Sequence, residues 1–486
     1  MAKFNEKVRT TPNAVSYEDG AVYIKSPAEE WLNFLFSSYL EDRFYERASH
    51  QTERFMSLTQ DMIETYGAEF VAKAALFARN ELGMRSVSQL VAAMLNNVAF
   101  DQKRAFFNNY CHRPDDVSEI FSILDIIKAK RSHALVRGFG DYISSLNAYT
   151  LGKYKLNKHS YNMYDIINLT HAKSSVIDAY KAGALESPDT WEVNISTAKN
   201  EVEKGKEWKR LVEEKKLGYL ALLRNLRNIL TVADIDHNWI ITHLCPQITN
   251  EQAIHKSLVY PYQIYAAYKN MKVYNTAVIA ALEIAFHKAL YNMPVLQGDT
   301  LIILDVSASM TSPISQRSDI TIREAGAVYA VCIALTSEHS DIVKFATDAQ
   351  KFNFDAKDNI FHQIKKLDAE DGLGYGTNLD VAYNCVDRKY DRIMLISDMQ
   401  IMGGRRGYWR NDGISSYEEY CKMYGRTLIY SFDLGNYHTQ TSNPNNPDVY
   451  LCTSLSEKTL KFISLLENKE SIVDYINNNY DYRISH

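Results

Sequence analysis

The 486-residue sequence has few cysteines and does not group them. Cys111, Cys245, Cys332, Cys385, Cys421 and Cys452 are scattered, with no C-x-x-C pair. That excludes a recognisable zinc site or disulfide framework, and a reducing cytoplasm fits best. No run of about eighteen apolar residues occurs; the most apolar helical stretch, Thr276 to Leu290, carries Glu283, His287 and Lys288, so no membrane span is expected. The opening Met1-Ala-Lys-Phe-Asn-Glu lacks the apolar core of a secretory signal. H-E-x-x-H, G-x-x-x-x-G-K-[ST] and G-x-S-x-G are all missing, so no familiar catalytic constellation is present. A large charge of one sign is missing too: 54 Lys+Arg stand against 59 Asp+Glu, a net charge of −5. Any nucleic-acid surface must therefore be a local patch.

What remains is the composition of a globular protein, 46% hydrophobic and 23% charged, too long for one ordinary core. Residues 1–25 read as a poorly patterned arm with turn signals at Thr10-Thr-Pro-Asn and Glu18-Asp-Gly. Residues 26–295 read as almost purely helical. Phe70, Val71, Ala74, Ala75, Phe77 and Ala78 fill one helical face, and similar stripes recur around Phe121–Ile127, Leu220–Leu230 and Val278–Ala285. Many short helices with short polar links suggest a stacked solenoid. Met293-Pro-Val-Leu-Gln-Gly298 breaks the rhythm. Residues 299–486 then alternate: Leu301–Leu304, Ile342–Phe345, Ile393–Ile396 and Thr427–Phe432 read as strands, and Glu324–Ala334, Ile360–Lys366, Leu379–Val386, Tyr417–Met423 and Glu457 to about Asn477 as helices. Such alternation implies a parallel sheet covered on both faces. Residues 1–298 hold 35 basic and 33 acidic side chains; residues 299–486 hold 19 and 26, so the second half is the acidic one.

The second half opens with Leu301-Ile-Ile-Leu-Asp305-Val-Ser307-Ala-Ser309-Met310, a buried strand ending in one carboxylate and two hydroxyls. Ligands of open α/β sheets bind at such strand ends, and hard oxygen donors suit Mg²⁺ or another hard divalent cation; a Ser-rich turn without metal is the alternative. Asp371-Gly-Leu-Gly-Tyr-Gly376-Thr377-Asn378 supplies a threonine on a glycine-rich loop, and Arg392-Ile-Met-Leu-Ile-Ser397-Asp398 a second strand ending in a carboxylate. These three segments resemble the von Willebrand factor A domain and its metal-ion-dependent adhesion site. The resemblance implies a divalent cation touched by Ser307, Ser309 and Thr377, with Asp305 and Asp398 acting through water. Where the family often has Gly-Gly-Thr-Asp, Tyr375 stands beside Thr377 and would narrow access. Gly403-Gly-Arg405-Arg406-Gly407-Tyr-Trp-Arg410 is expected at the rim of the site, as a loop able to hold a phosphate or carboxylate.

In the first half, Lys128, Lys130, Arg131, Arg137, Lys153, Lys155 and Lys158, with His133 and His159, form a basic stretch opposed between residues 128 and 159 only by Asp141. It can neutralise phosphates, and the interleaved Tyr142, Tyr149, Tyr154, Tyr161 and Tyr164 can stack on unpaired bases; a solvated helical face is the alternative. His159-Ser-Tyr-Asn-Met-Tyr-Asp165-Ile-Ile-Asn-Leu169-Thr170-His171, Leu220-Ala-Leu-Leu-Arg224-Asn-Leu-Arg227-Asn228, Val259-Tyr260-Pro261-Tyr262 and Asp305-Val-Ser-Ala-Ser-Met310 together resemble the TROVE module of the Ro autoantigen and its bacterial relatives. Tyr260 stands where that family has histidine. The resemblance implies a ring of HEAT-like helical repeats followed by the doubly wound α/β domain. It implies binding of small noncoding Y-like RNA on the outer basic surface and of single-stranded 3′ ends of misfolded RNA in the central hole, with a 3′ exoribonuclease as partner in bacterial relatives. By position, His171 matches an RNA-contacting histidine, with a buried, hydrogen-bonded histidine as the alternative. Arg224 and Arg227 would point into the hole or brace neighbouring helices.

Three functions are thus expected in order: a non-catalytic RNA-binding scaffold in RNA quality control; an adapter whose metal site grips a partner's acidic residue; and a metal-dependent ribonuclease drawing on Asp341, Asp348, Asp368, Glu370 and Asp371, which are otherwise a solvated rim.

Overall fold

The computed structural model describes residues 14–15, 21–24, 27–37, 47–154, 156, 159–185, 191–232, 235–315, 318–402, 414–435, 437, 439–443, 446, 448–452, 460, 463 and 472–483. Helices run from Pro27–Ser37 to Thr276–Ala289, and a sheet region follows. No described helix is long and apolar enough to cross a membrane. The chain forms two compact units: residues 38–40, 52–207 and 469–486 make a helical unit, and residues 1–37, 41–51 and 208–468 a sheet-bearing unit. The cut falls at 207/208, well before the change of rhythm at 293–298.

In the sheet-bearing unit the main sheet has the order β5-β4-β3-β6-β7-β9 among the described strands, with β3 Leu296–Asp305, β4 Ser337–Phe345, β5 Ala349–Phe352, β6 Arg392–Ser397, β7 Leu428–Asp433 and β9 Val449–Cys452. All neighbours are parallel except the β4–β5 edge pair. The alternation of strand side chains divides the apolar run 301–304 between two faces. Leu301 and Ile303 join Ile393, Leu395, Tyr383, Tyr417 and Tyr420 in one core. Leu304 and Ile396 face the Ile322–Thr336 helix, close against Gly326. Each such buried aliphatic side chain stabilises the fold by about 1.5–3 kcal/mol. The arm does more than the sequence suggested: β1 Ala14–Val15 and β2 Ala21–Ile24 form a ribbon, and β2 pairs with β8 Thr439–Gln440. Thr10-Thr-Pro-Asn and Glu18-Asp-Gly lie outside the described residues. Of the expected C-terminal helix, Ile472–Asn479 is described.

Helices Pro261–Asn270 and Thr276–Ala289 belong to this same unit because their aromatic residues interlock with the sheet region. The Phe361 ring stacks on Tyr268 at 4.2 Å and 8° and meets Phe286 edge-on. Tyr262 stacks on Tyr329. Polar bonds fix the register: Lys269 Nζ and Tyr265 OH both donate to Glu324, and Glu283 accepts from the Asn359 side chain and the Ile360 N–H at the start of the Ile360–Asp368 helix.

The helical unit is pinned by one carboxylate. Asp116, fully buried, accepts from Arg79 at 2.9 Å, Arg85 at 3.3 Å, Gln89 at 2.9 Å and the N–H groups of His112 and Arg113. Burial alone would push its carboxyl up, but Arg79, Arg85 and the Arg113 N–H together hold it below the usual carboxylate range. The native state therefore binds that proton more weakly than the unfolded chain. Its stabilisation is complete above about pH 4 and is lost as pH falls through the lowered pKa. Removing the acceptor strands buried arginines, so Asp116→Ala should cost about 3–5 kcal/mol, measured by denaturant unfolding; the variant should also lose part of the wild type's loss of stability below pH 4.

Candidate functional site

β3 and β6 are adjacent and parallel, with Leu304 opposite Ile396. Their carboxyl ends therefore deliver Asp305 and the Ser397-Asp398 pair to one sheet edge. Beyond Asp305 the chain turns through a 3₁₀ segment, Ala308–Thr311, which folds the two serines back. Asp305 accepts from the Ser307 N–H at 2.9 Å and from Ser397 Oγ at 2.6 Å. Ser307 Oγ lies 3.3 Å from Ser309 Oγ. Asp398 accepts from the Ser309 hydroxyl and from the Gln400 N–H. Four of the five expected ligands, Asp305, Ser307, Ser309 and Asp398, are thus brought together, all buried.

The fifth, Thr377, arrives through its backbone. The Ala308 N–H donates to the Tyr375 carbonyl at 3.0 Å, and the Met402 N–H to the Thr377 carbonyl at 2.8 Å. The loop is tied further by Gly376 N–H to Thr347 Oγ1 and Asn378 N–H to the Ala346 carbonyl. A Cβ at position 376 would meet Met402 Sδ, so a side chain there would have to displace the methionine's end. Thr377 is 2% exposed, whereas Tyr375 is 75% exposed and stands out into solvent. Asn378 Oδ1 is buried with no hydrogen-bond donor. The loop Gly403–Arg410 lies outside the described residues.

The electrostatics of this edge are unbalanced. Neither Asp305 nor Asp398 forms an ion pair among the described residues. Burial pushes the Asp305 carboxyl up, with Ser307, Ser397 and Arg323 pulling back. Burial and then the neighbouring Asp305 charge push Asp398 well above the usual range. Among the described residues no three His, Cys, Asp or Glu side chains cluster to hold an ion. A cation here would rest on two carboxylates and three hydroxyls, a hard-oxygen set that suits Mg²⁺ in chemistry. The carboxylates weighed for a nuclease are dispersed. Asp341 pairs with Arg388, Asp368 with Arg323 and Asp371 with Lys344; Glu370 caps the Gly374 N–H and Asp348 the Ala349 N–H.

The basic segment belongs to the helical unit. Lys128, Lys130, His133 and Arg137 are exposed, and Lys153 is half-buried with its ammonium 5.8 Å from the Tyr154 ring. Lys155 and Lys158 lie outside the described residues. Arg131 is held within the fold: it lies over the Phe121 and Tyr161 rings at 4.7 and 5.1 Å and bonds Asp125 and Tyr161. His159 bonds Glu119. Asp141, the one acid within the segment, is gripped by Arg104 at 2.6 and 2.7 Å. Of the tyrosines, Tyr142 is buried, Tyr161 bonds Asp125, and Tyr154 carries Arg113 over its ring at 5.2 Å; Tyr149 and Tyr164 are exposed, Tyr164 packed on Tyr180.

His171 is exposed, which excludes the buried alternative. It follows the Met163–Thr170 helix with φ +55°, and the next N–H, that of Ala172, closes on the Ile167 carbonyl, the terminator geometry in which the residue past the helix turns left-handed. Gly140 lets this helix come close: a Cβ there would lie 2.6 Å from the Thr170 carbonyl oxygen. Arg224 and Arg227, in the sheet-bearing unit, are exposed on the Tyr219–Leu230 helix and form no side-chain bond among the described residues. They line a cavity of about 290 Å³ with Asn228, Gln263 and Asn270.

Residues 162–344 match the TROVE domain family. That stretch of the chain is thus similar to a TROVE domain. The chain's fold is also similar to that in the crystal structure of the Deinococcus radiodurans RO (RSR) protein, with a TM-score of 0.63 over 91% of this chain and 100% of that one, at 15% identity. At that identity the likeness speaks for the fold, a helical region followed by a parallel-sheet domain. The TROVE match takes in His171, Arg224, Arg227, Asp305, Ser307 and Ser309, and leaves out the basic segment 128–153, Thr377 and Asp398. Sequence reasoning missed Ser397, which donates to Asp305, and Arg323, whose guanidinium bonds the Val306 carbonyl and Asp368. Ser397 had a signal, being the residue before the strand-end aspartate; Arg323 had none, since its partners are remote in sequence.

A carboxyl group with a raised native pKa stabilises the fold while protonated, and that contribution is lost as pH rises through the raised value. In the presence of a chelator at pH 8, Asp398→Asn should therefore raise the thermal midpoint, by about 2 °C or more, with the difference shrinking as pH is lowered; calorimetry of both proteins checks it.

Proposed function

We propose that this protein is a non-catalytic RNA-binding scaffold, holding small structured noncoding RNA of the Y type on the helical unit and the single-stranded 3′ ends of misfolded RNA at Arg224 and Arg227, in RNA quality control. The TROVE match supports Ro-type RNA binding in general. The observation that carries the surface is the cation balance of residues 128–159, with Lys128, Lys130 and Arg137: their only internal acid, Asp141, is gripped from outside by Arg104, and these side chains and His171 stay exposed. Exposed cations without fixed partners are those that can release counterions from phosphates. Exposed Tyr149 and Tyr164 add faces for unpaired bases. A 3′ exoribonuclease is a fitting partner, since a scaffold without its own cleavage chemistry would present 3′ ends to another enzyme.

A second reading coexists with it. The paired charges of Asp305 and Asp398 in a buried, hydroxyl-lined edge favour a divalent cation, held by Asp305, Ser307, Ser309, Thr377 and Asp398. When bound, the cation would offer an open position to a carboxylate on a protein partner. The chain's own part is to place the oxygen donors, to exclude water, and to present Tyr375 at the rim.

Electrophoretic shift titrations with a structured RNA bearing a single-stranded 3′ tail test the RNA reading. Lys128→Glu, Lys130→Glu and Arg137→Glu together should weaken binding at least about tenfold and make the log–log salt dependence shallower by about one for each phosphate no longer neutralised. His171→Ala should weaken it without an equal change in salt slope, and Arg131→Ala should lower stability instead. Unaltered affinity in the triple variant removes the assigned surface; chelation should leave RNA affinity unchanged.

A further inference from the structure

Lys344 stands in β4 opposite Leu304, the residue before Asp305. Its side chain has no exposure at all. The ammonium donates to the carbonyls of Lys366 at 3.1 Å and Ala369 at 2.8 Å and to the Asp371 carboxylate. A lysine has three N–H donors, and each finds one oxygen here, much as oxygens gather round a bound cation. Lys366 lies in the last turn of the Ile360–Asp368 helix and Ala369 follows it; carbonyls at that end have no partner within the helix and carry its negative dipole. Asp371 opens the glycine-rich loop that runs to Thr377. The strand beyond Lys344 takes up the rest of the loop, through Asp348 N–H to the Leu373 carbonyl, Gly376 N–H to Thr347 Oγ1 and Asn378 N–H to the Ala346 carbonyl.

A charge at a fully buried strand position is costly and needs a compensating set of bonds. We infer that Lys344 is a positioning residue for the ligand site: a tethered cation that fixes the Asp371–Thr377 loop so that Thr377 stands beside Asp305, Ser307, Ser309 and Asp398. It also ties down Asp371, keeping that carboxylate out of competition with the two strand-end aspartates. Arg323 bonds the same helix end, at Asp368, and from there holds the Val306 carbonyl of the first loop. The inference rests on the reading of this edge as a cation site.

The test uses the full chain and two readouts, amide hydrogen exchange without metal and Mn²⁺ binding by electron paramagnetic resonance. In Lys344→Met the amides of Gly376 and Ala308 should exchange at least about tenfold faster, and Mn²⁺ affinity should fall by about tenfold or more. Because Lys344 acts through Thr377, adding Lys344→Met to Thr377→Val should cost little beyond Thr377→Val alone. If Lys344→Met does not fold, Asp371→Asn, which removes only the loop's share of the bonds, should move both readouts in the same direction. Unchanged exchange, or losses that add in the double variant, overturn the inference. Wild-type protein that takes up no Mn²⁺ overturns the cation reading itself, whereas wild-type uptake with Lys344→Met unchanged overturns the role of Lys344 alone.

Discussion

Two acidic side chains end neighbouring parallel strands in a place with almost no water. Much of the sheet edge is organised by that conflict. Burial and mutual repulsion both disfavour charge on Asp305 and Asp398, and inside a protein such repulsion is much stronger than in water. The surroundings answer with dipoles: Ser307, Ser309, Ser397 and two backbone N–H groups donate to the pair. Full cations are kept one step away, Lys344 on the glycine-rich loop and Arg323 on the Val306 carbonyl. The result is an edge that is well built geometrically and short of positive charge.

Asp116 in the helical unit shows the finished version. It is as buried as Asp305, yet two arginines, a glutamine and two backbone N–H groups fill its acceptor positions. The same contrast separates the basic residues. Arg131, sandwiched against two rings and bonded to Asp125, is part of the packing. Lys128, Arg137 and His171 stand in solvent. Saturation of a polar group's bonds, more than its charge or burial, divides structural residues from available ones in this protein.

Much of this was readable from sequence wherever local pattern and local geometry coincide. The apolar run before Asp305, the second run before Asp398 and the helical stripe at Phe70–Ala78 encode their own burial, and strand ends gather by topology, so the carboxylate–hydroxyl edge followed. What depended on distant partners was not readable. The charge count over residues 128–159 treated Asp141 as opposing the lysines, but Arg104 claims it, while Asp125 and Glu119 reach in from an earlier helix to Arg131 and His159. Lys344 carries no local signal, because its three acceptors lie 22 to 27 residues away. The change of rhythm at residues 293–298 was read as a domain border; Tyr268 and Phe286, before it, pack on Phe361, after it, a contact that no local pattern announces.

The last described helix belongs to the helical unit, whose other residues lie some three hundred positions earlier. Tyr475 and Tyr480 pack edge-on against Phe77, and Tyr482 against Phe100 and Phe106; the Tyr482 hydroxyl reaches the Asp101 carbonyl and its own carbonyl accepts from Asn109. β2 waits likewise for β8. On a ribosome, where domains usually close as they emerge at about 5–20 residues per second, neither unit of this chain can finish early. The first helices must wait tens of seconds for their final partner, with Phe77, Phe100 and Phe106 uncovered in the meantime. Such a chain commits to its native state only once residues 472–483 have emerged, and the nascent protein is a natural client for whatever shields exposed aromatic surface during synthesis.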